Sequence, residues 1–148
     1  MKHIGISGTR EGMSKLQKET FLHFSNTLTT QFTDLKYFHQ GQCQGVDVEA
    51  ARLLKSEFNL FIVSHPPVKK DLLGQCTNDI VKQAKGYFAR NRDIVNASEL
   101  MFILPKESQV QSTGGTWYTY KYALAANKPV ILILPDGSYQ LFNCEFLK

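Results

Sequence analysis

The sequence predicts a single three-layer α/β domain with a mainly parallel central sheet, spanning residues 1–148. Three observations carry this prediction. Short apolar runs recur along the chain, each followed by a turn signal and a longer helical pattern, the alternation expected of βα units. The strongest runs are apolar at nearly every position, as strands covered on both faces require. The chain has 148 residues, 43% apolar and 20% charged, which suits one core and excludes a disordered tail, a collagen-like repeat or a coiled-coil rod.

The elements follow in order. His3 to Ser7 reads as a strand that enters Gly8-Thr9-Arg10-Glu11-Gly12. A helix is expected from Ser14, because Leu16, Thr20, Phe21, Phe24, Leu28 and Phe32 recur mostly three or four residues apart. Ser14 with Gln17 three residues on forms a capping box. Leu35 to His39 is the second strand, and Gly41 to Asp47 turns it into a helix bearing Val46, Ala50, Leu53, Leu54 and Phe58. Leu60 to Ser64 is the third strand, stopped by Pro66-Pro67, which cannot donate to a ladder.

From Val68 to Lys85 short helices joined by Gly74 are expected. Then come a helix over Tyr87 to Ala97, a strand over Leu100 to Leu104, a helix over Gly115 to Ala126 and a strand over Val130 to Leu134. Tyr139 to Phe146 reads as a C-terminal strand. The expected core is Ile4, Ile6, Ile62, Val63, Phe102, Ile103, Val130, Leu132 and Leu134. Such a core stabilises one domain without a metal or disulfide, and nothing in the sequence calls for a cofactor.

Lys and Arg number 17 against 13 Asp and Glu, a formal charge of +4 that favours anionic partners without naming one. Cys43, Cys76 and Cys144 are odd in number and widely spaced, so reduced thiols are expected. The N-terminal residues turn polar too soon for a secretory signal, and no apolar run approaches a membrane span. A cytoplasmic protein without a membrane partner is the expectation.

In a parallel sheet, ligands bind beyond the carboxyl ends of the strands, where loops feed helix N-termini whose free amides favour anions. Three glycine loops fall there. Gly8-Thr9-Arg10 offers close approach, a hydroxyl and a bidentate guanidinium, or is an ordinary turn. Gly41-Gln42-Cys43-Gln44-Gly45-Val46-Asp47 is a second turn, in which Asp47 either caps the helix or accepts from a ribose hydroxyl. Ser112-Thr113-Gly114-Gly115-Thr116 precedes an apolar helix. Its successive amides form an anion-binding concavity, with simple capping as the alternative.

Arg90-Asn91-Arg92 lies inside a helix, so only one of the two cations faces a given site. The other is expected to meet solvent or a carboxylate. Asn91 disfavours a helix interior, which hints at a specific hydrogen bond. The chain has no GxSxG elbow, HExxH or Walker A sequence. His3, His23, His39 and His65 are scattered, with structural roles expected of them. Cys43 has no His or Lys beside it to activate it. Among Tyr87, Trp117, Tyr118, Tyr120 and Tyr122, core packing is the expectation for most, and Trp117 could stack on a base.

The order of these motifs, closed by Lys128-Pro129-Val130, resembles the SLOG superfamily of Rossmann-like nucleotide-binding domains over about nine-tenths of the chain. The nearest branches are the YspA-like proteins and the DNA-processing protein A domain. The resemblance implies a ligand site of Gly8, Thr9, Arg10, Gly41, Gly45, Asp47, Arg90, Asn91, Arg92, Gly114, Gly115 and Thr116. It implies a nucleotide or nucleotide-derived ligand, possible single-stranded nucleic acid, and self-association into a homo-oligomer. Two departures stand out. Gln42 replaces the family's second glycine in loop two, and Tyr118 stands where the related Lonely Guy phosphoribohydrolases carry a glutamate. Without that carboxylate, binding for sensing or sequestration is favoured over N-glycosidic cleavage. Glu11 and Asp47 are the candidate catalytic acids if the chain is an enzyme.

Overall fold

The computed structural model describes residues 1–147. Its elements are β1 (His3–Gly8), α1 (Lys15–Gln31), β2 (Tyr37–Gln40), α2 (Val46–Phe58), β3 (Phe61–Ser64), β4 (Ile80–Val81), α3 (Tyr87–Ala97), β5 (Leu100–Leu104), α4 (Gly115–Ala125), β6 (Val130–Ile133) and β7 (Tyr139–Phe142). They form the expected three-layer α/β domain. One sheet runs in the order β4-β3-β2-β1-β5-β6-β7, parallel except for β7, which pairs antiparallel with β6.

Strand alternation divides the core between two faces. Leu100, Phe102 and Leu104 of β5 join the cluster that holds Phe21, Phe24 and Leu28 of α1 and Ala50, Ala51 and Leu54 of α2. Met101 and Ile103 point the other way, toward Ile94 and Val95 of α3 and Trp117, Tyr120 and Ala123 of α4. This is why β5 is buried at every position. Ser14 and Gln17 form the predicted capping box. Gln17 is itself buried and its amide ties the ends of β5 and β6 together, donating to Pro105 O at 2.8 Å and Ile133 O at 3.0 Å.

Three expectations are corrected. The 68–85 stretch holds one 3-10 turn, Lys70–Leu72, and the edge strand β4 instead of short helices. Asp79 decides this, because its carboxylate accepts from the Ile62 amide at 2.8 Å and from Lys55 at 3.0 Å, docking the segment beside β3. The strand was hard to read because both its side chains are exposed. The last strand stops at Phe142, not Phe146, since Asn143 takes a φ of +55° and turns the chain. Leu134 is half-buried and packs at the margin of the α3–α4 cluster. Cys43, Cys76 and Cys144 are free thiols, and no helix among the described residues is long and apolar enough to cross a membrane.

Candidate functional site

Strand order places the site. From β1 the sheet grows one way through β2 and the other way through β5, so the loops leaving β1 and β5 diverge and open a crevice at their carboxyl ends. A hollow of about 310 Å³ lies there. The β1 loop lines it with Gly8, Thr9, Arg10 and Glu11, and the β5 loop with Lys106, Glu107 and Thr113. The start of α4 adds Gly114, Gly115, Thr116 and Trp117, and the start of α3 adds Tyr87. Two of the three predicted glycine loops thus converge on one rim, though about a hundred residues separate them.

The helix start is built to leave amides free. Gly114 is the N-cap of α4 with φ of +102°, and among the described residues no side chain caps the first amides of the helix. Arg10 is exposed and its guanidinium lies 5.0 Å from the Tyr87 ring centroid, which fixes the cation at the mouth of the hollow. Thr9 Oγ1 accepts from the Glu11 amide at 3.2 Å. Lys106 and Glu11 approach to 3.8 Å across the rim, an exposed pair of little energetic consequence.

The second glycine loop does different work: it props the first from behind. Gly45 has φ of +91°, and a Cβ there would lie 2.5 Å from the backbone carbon of Arg10, so only glycine lets the two loops meet. Val46 N–H donates to Thr9 O at 3.1 Å. Asp47 neither caps α2, whose N-cap is Gly45, nor reaches the hollow. It is buried, and its carboxylate accepts from the Cys43 amide at 3.2 Å. Burial pushes its pKa up to about 6, against the opposing pull of the Arg90 cation. Burial and the Asp47 charge also raise the Cys43 thiol, leaving it inert. Gln42 takes the left-handed conformation, φ of +56°, that a glycine would adopt more easily.

Arg90 is the cation of the Arg90-Asn91-Arg92 motif that turns inward, yet it holds loop two and does not line the hollow. Only 3% exposed, it donates to Gly41 O at 2.5 Å, His65 O at 3.1 Å and Asn91 Oδ1 at 2.7 Å. The Asn91 side chain thus finds the specific bond its position hinted at. Arg92 lies outside the hollow, where it is half-exposed to solvent, as expected of the second cation, and donates to the Tyr118 hydroxyl at 2.9 Å.

Glu107 escaped the sequence reading. It lines the hollow and its Oε1 accepts from the Trp117 indole N–H at 2.9 Å. Trp117 itself is 2% exposed, so its ring is packed rather than free to stack on a base. Lys106 and Tyr87 also line the hollow unforeseen. A carboxylate and a lysine just past the end of a predicted strand were the available signal, because that edge is where ligands bind.

Gly115 gives a direct test of the packing. A Cβ there would stand 2.5 Å from Tyr87 Cε1, inside any tolerable contact. Gly115→Ala is expected to displace Tyr87 and Arg10 with it, costing about 1–3 kcal/mol of stability. Urea unfolding would check the loss, and an unchanged midpoint would contradict it.

No family model and no curated protein matches the chain. Among solved structures, the X-ray structure of TM1055, a structural genomics target, is similar with a TM-score of 0.62 and 18% sequence identity. The match covers 90% of this chain and 74% of that one. What the likeness establishes is the fold, a Rossmann-like three-layer α/β domain.

Proposed function

We infer that this chain binds a nucleotide or nucleotide-derived phosphate ester in the hollow between the β1 and β5 loops, for sensing or sequestration, as the resemblance to the SLOG superfamily suggests. One observation carries the reading: Arg10 and the uncapped N-terminus of α4 line the same hollow. A phosphate there accepts from the amides of Gly115 and Thr116 and from the Arg10 guanidinium, a charge-assisted arrangement. Gly8 and Thr9 form the floor beside it. Gly41, Gly45, Asp47, Arg90 and Asn91 serve the site as its scaffold, without touching the ligand.

Calorimetry with a panel of mononucleotides, dinucleotides, cyclic nucleotides and single-stranded oligonucleotides tests this. Arg10→Ala is expected to weaken the ligand that binds by about 10- to 100-fold, the worth of one charge-assisted contact. No heat and no thermal stabilisation at millimolar ligand would end the proposal.

A second reading, cleavage at an N-glycosidic bond, gains support from Glu107. It gives the hollow a carboxylate besides the exposed Glu11, whereas Asp47 is sealed beneath loop two. Release of free base from nucleoside monophosphates, abolished in Glu107→Gln, is its expected signature. Absence of turnover by the wild-type protein sinks it.

A further inference from the structure

Three of the four histidines form a continuous line through the interior. His3 Nδ1 lies 2.9 Å from His39 Nε2, and His39 Nδ1 lies 2.9 Å from His65 Nε2. The sheet register makes this possible. His39 stands opposite Gly5 on β1 and Val63 on β3, so each step crosses one strand and climbs two residues on the same face. His39 and His65 are buried, at 3% and 4% exposure, while His3 is half-buried at the other end.

The line ends at a second hollow, of about 460 Å³, lined by His65, Lys82, Gln83, Lys85, Asp93 and Asn96. It shares no lining residue with the hollow at the α4 start. Among the described residues, His65 Nδ1 makes no hydrogen bond to a protein group, and it is not among the sealed, unpaired side-chain atoms, so it is open to solvent though the residue as a whole is buried. Two ammonium groups face one carboxylate there, with Lys85 and Asp93 paired at 2.6 Å.

A neutral imidazole carries one N–H and one lone pair, so in a row of neutral rings the direction of one hydrogen bond sets the others. Burial, then the neighbouring rings, lowers His39 to about 3, and burial lowers His65 to about 4, which keeps both neutral under ordinary conditions. In one direction His3 Nδ1–H donates to His39, His39 Nδ1–H donates to His65, and His65 presents an N–H donor to the hollow. In the other, His65 presents a lone pair. An acceptor in the hollow selects the first direction.

We propose that the hollow beside His65 is an oxyanion site, with Lys82 and Lys85 supplying charge and His65 Nδ1–H the directional donor, and that its occupancy sets the hydrogen-bond direction through His39 to His3. The charges around the line favour this sense. Glu99, whose carboxylate accepts from the Lys2 and His3 amides, faces His3, whose ring stacks on Tyr37 at 4.7 Å. The N-terminal amine lies near Glu99 as well. Lys82 acts on His39. Lys82, Lys85 and Arg90 oppose a charge on His65 and Asp93 favours one. Linkage makes the coupling reciprocal.

Sulfate is the probe, because it stays a dianion across the range in which histidine titrates. On the full chain labelled with ¹⁵N, sulfate is expected to shift the side-chain amides of Gln83 and Asn96 and to move His65 Nδ1 to its protonated position. The same proton placement is expected along the line, with Nδ1–H on His39 and on His3 in the sulfate complex. In His39→Leu, if it folds, sulfate should still shift Gln83 and Asn96 while the His3 tautomer no longer responds, and the wild-type tautomer reading needs no variant. No shift at Gln83 and Asn96, binding with His65 Nδ1 unprotonated, or a sulfate complex with His3 Nδ1 unprotonated would each overturn the proposal.

Discussion

Replacing Arg90 by alanine is expected to cost about 3–5 kcal/mol of folding stability, much of what a domain of this size possesses. The side chain donates to Gly41 O, His65 O and Asn91 Oδ1, and its Nη2 lies 3.6 Å from Cys43 Sγ. Truncation leaves two buried carbonyls without donors, at about 1–3 kcal/mol each, and opens a cavity. It also removes the cation that opposes the raised pKa of Asp47. Lysine does not restore the site, because a single ammonium cannot reproduce the fork that spans loop two and the end of β3. Since loop two supports Thr9 and Arg10 through the Val46 amide, ligand affinity should fall alongside stability. Urea unfolding of Arg90→Ala and Arg90→Lys measures this. A loss under about 1 kcal/mol in the alanine variant would mean that loop two is held by other contacts.

Stability is expected to fall as the pH drops from about 6.5 toward 4, and the buried histidines are the reason. Burial comes first among the causes that lower His39 to about 3 and His65 to about 4, from an ordinary value of 6.5. Between these values the unfolded chain binds two protons that the folded chain refuses. The stabilisation is therefore complete above about 6.5 and lost as the pH falls through the folded values. Asp47 acts in the opposite sense. With its pKa raised to about 6, the folded state holds a proton that the unfolded one releases, so its contribution declines as the pH rises from about 4 to 6. Two imidazoles against one carboxylate leave a net uptake of about one proton on unfolding, or about 1.4 kcal/mol per pH unit. Below about pH 4, protonation of Asp79 and Glu99, both held low by backbone hydrogen bonds, adds to the loss. His39→Gln should flatten most of the slope above pH 4 even if it lowers stability at pH 7. Denaturant midpoints across the pH range provide the check, and stability that rose on acidification would refute the account.

The fold was legible because its cause is local and repeated. Ser14 and Gln17 announce α1, and the unbroken apolar run of β5 announces a strand buried on both faces. Edge β4 was not legible: Ile80 and Val81 are exposed, and the bond that docks them comes from Asp79 reaching Ile62 across seventeen positions. At the site, Gly8, Thr9, Arg10, Gly114, Gly115 and Thr116 were marked by glycine and hydroxyl content next to a strand end, and they meet in one hollow. Glu107 carried no motif, and Asp47 looked like a cap or a sugar ligand because sequence does not reveal which way a carboxylate turns.

The sequence by itself determined the order of the strands and helices other than β4, the buried character of the sheet and the amide-rich turns at its carboxyl edge, since periodicity and turn chemistry act over a few residues. Only the tertiary structure decided which groups face a ligand and which carry the scaffold. Arg10 and Arg90 are both arginines beside Tyr87, at 5.0 and 4.8 Å from its ring centroid. Packing leaves one at the mouth of the hollow and buries the other among carbonyls. The same holds for His3, His39 and His65, which are far apart in the chain and become one line only when β1, β2 and β3 align in register.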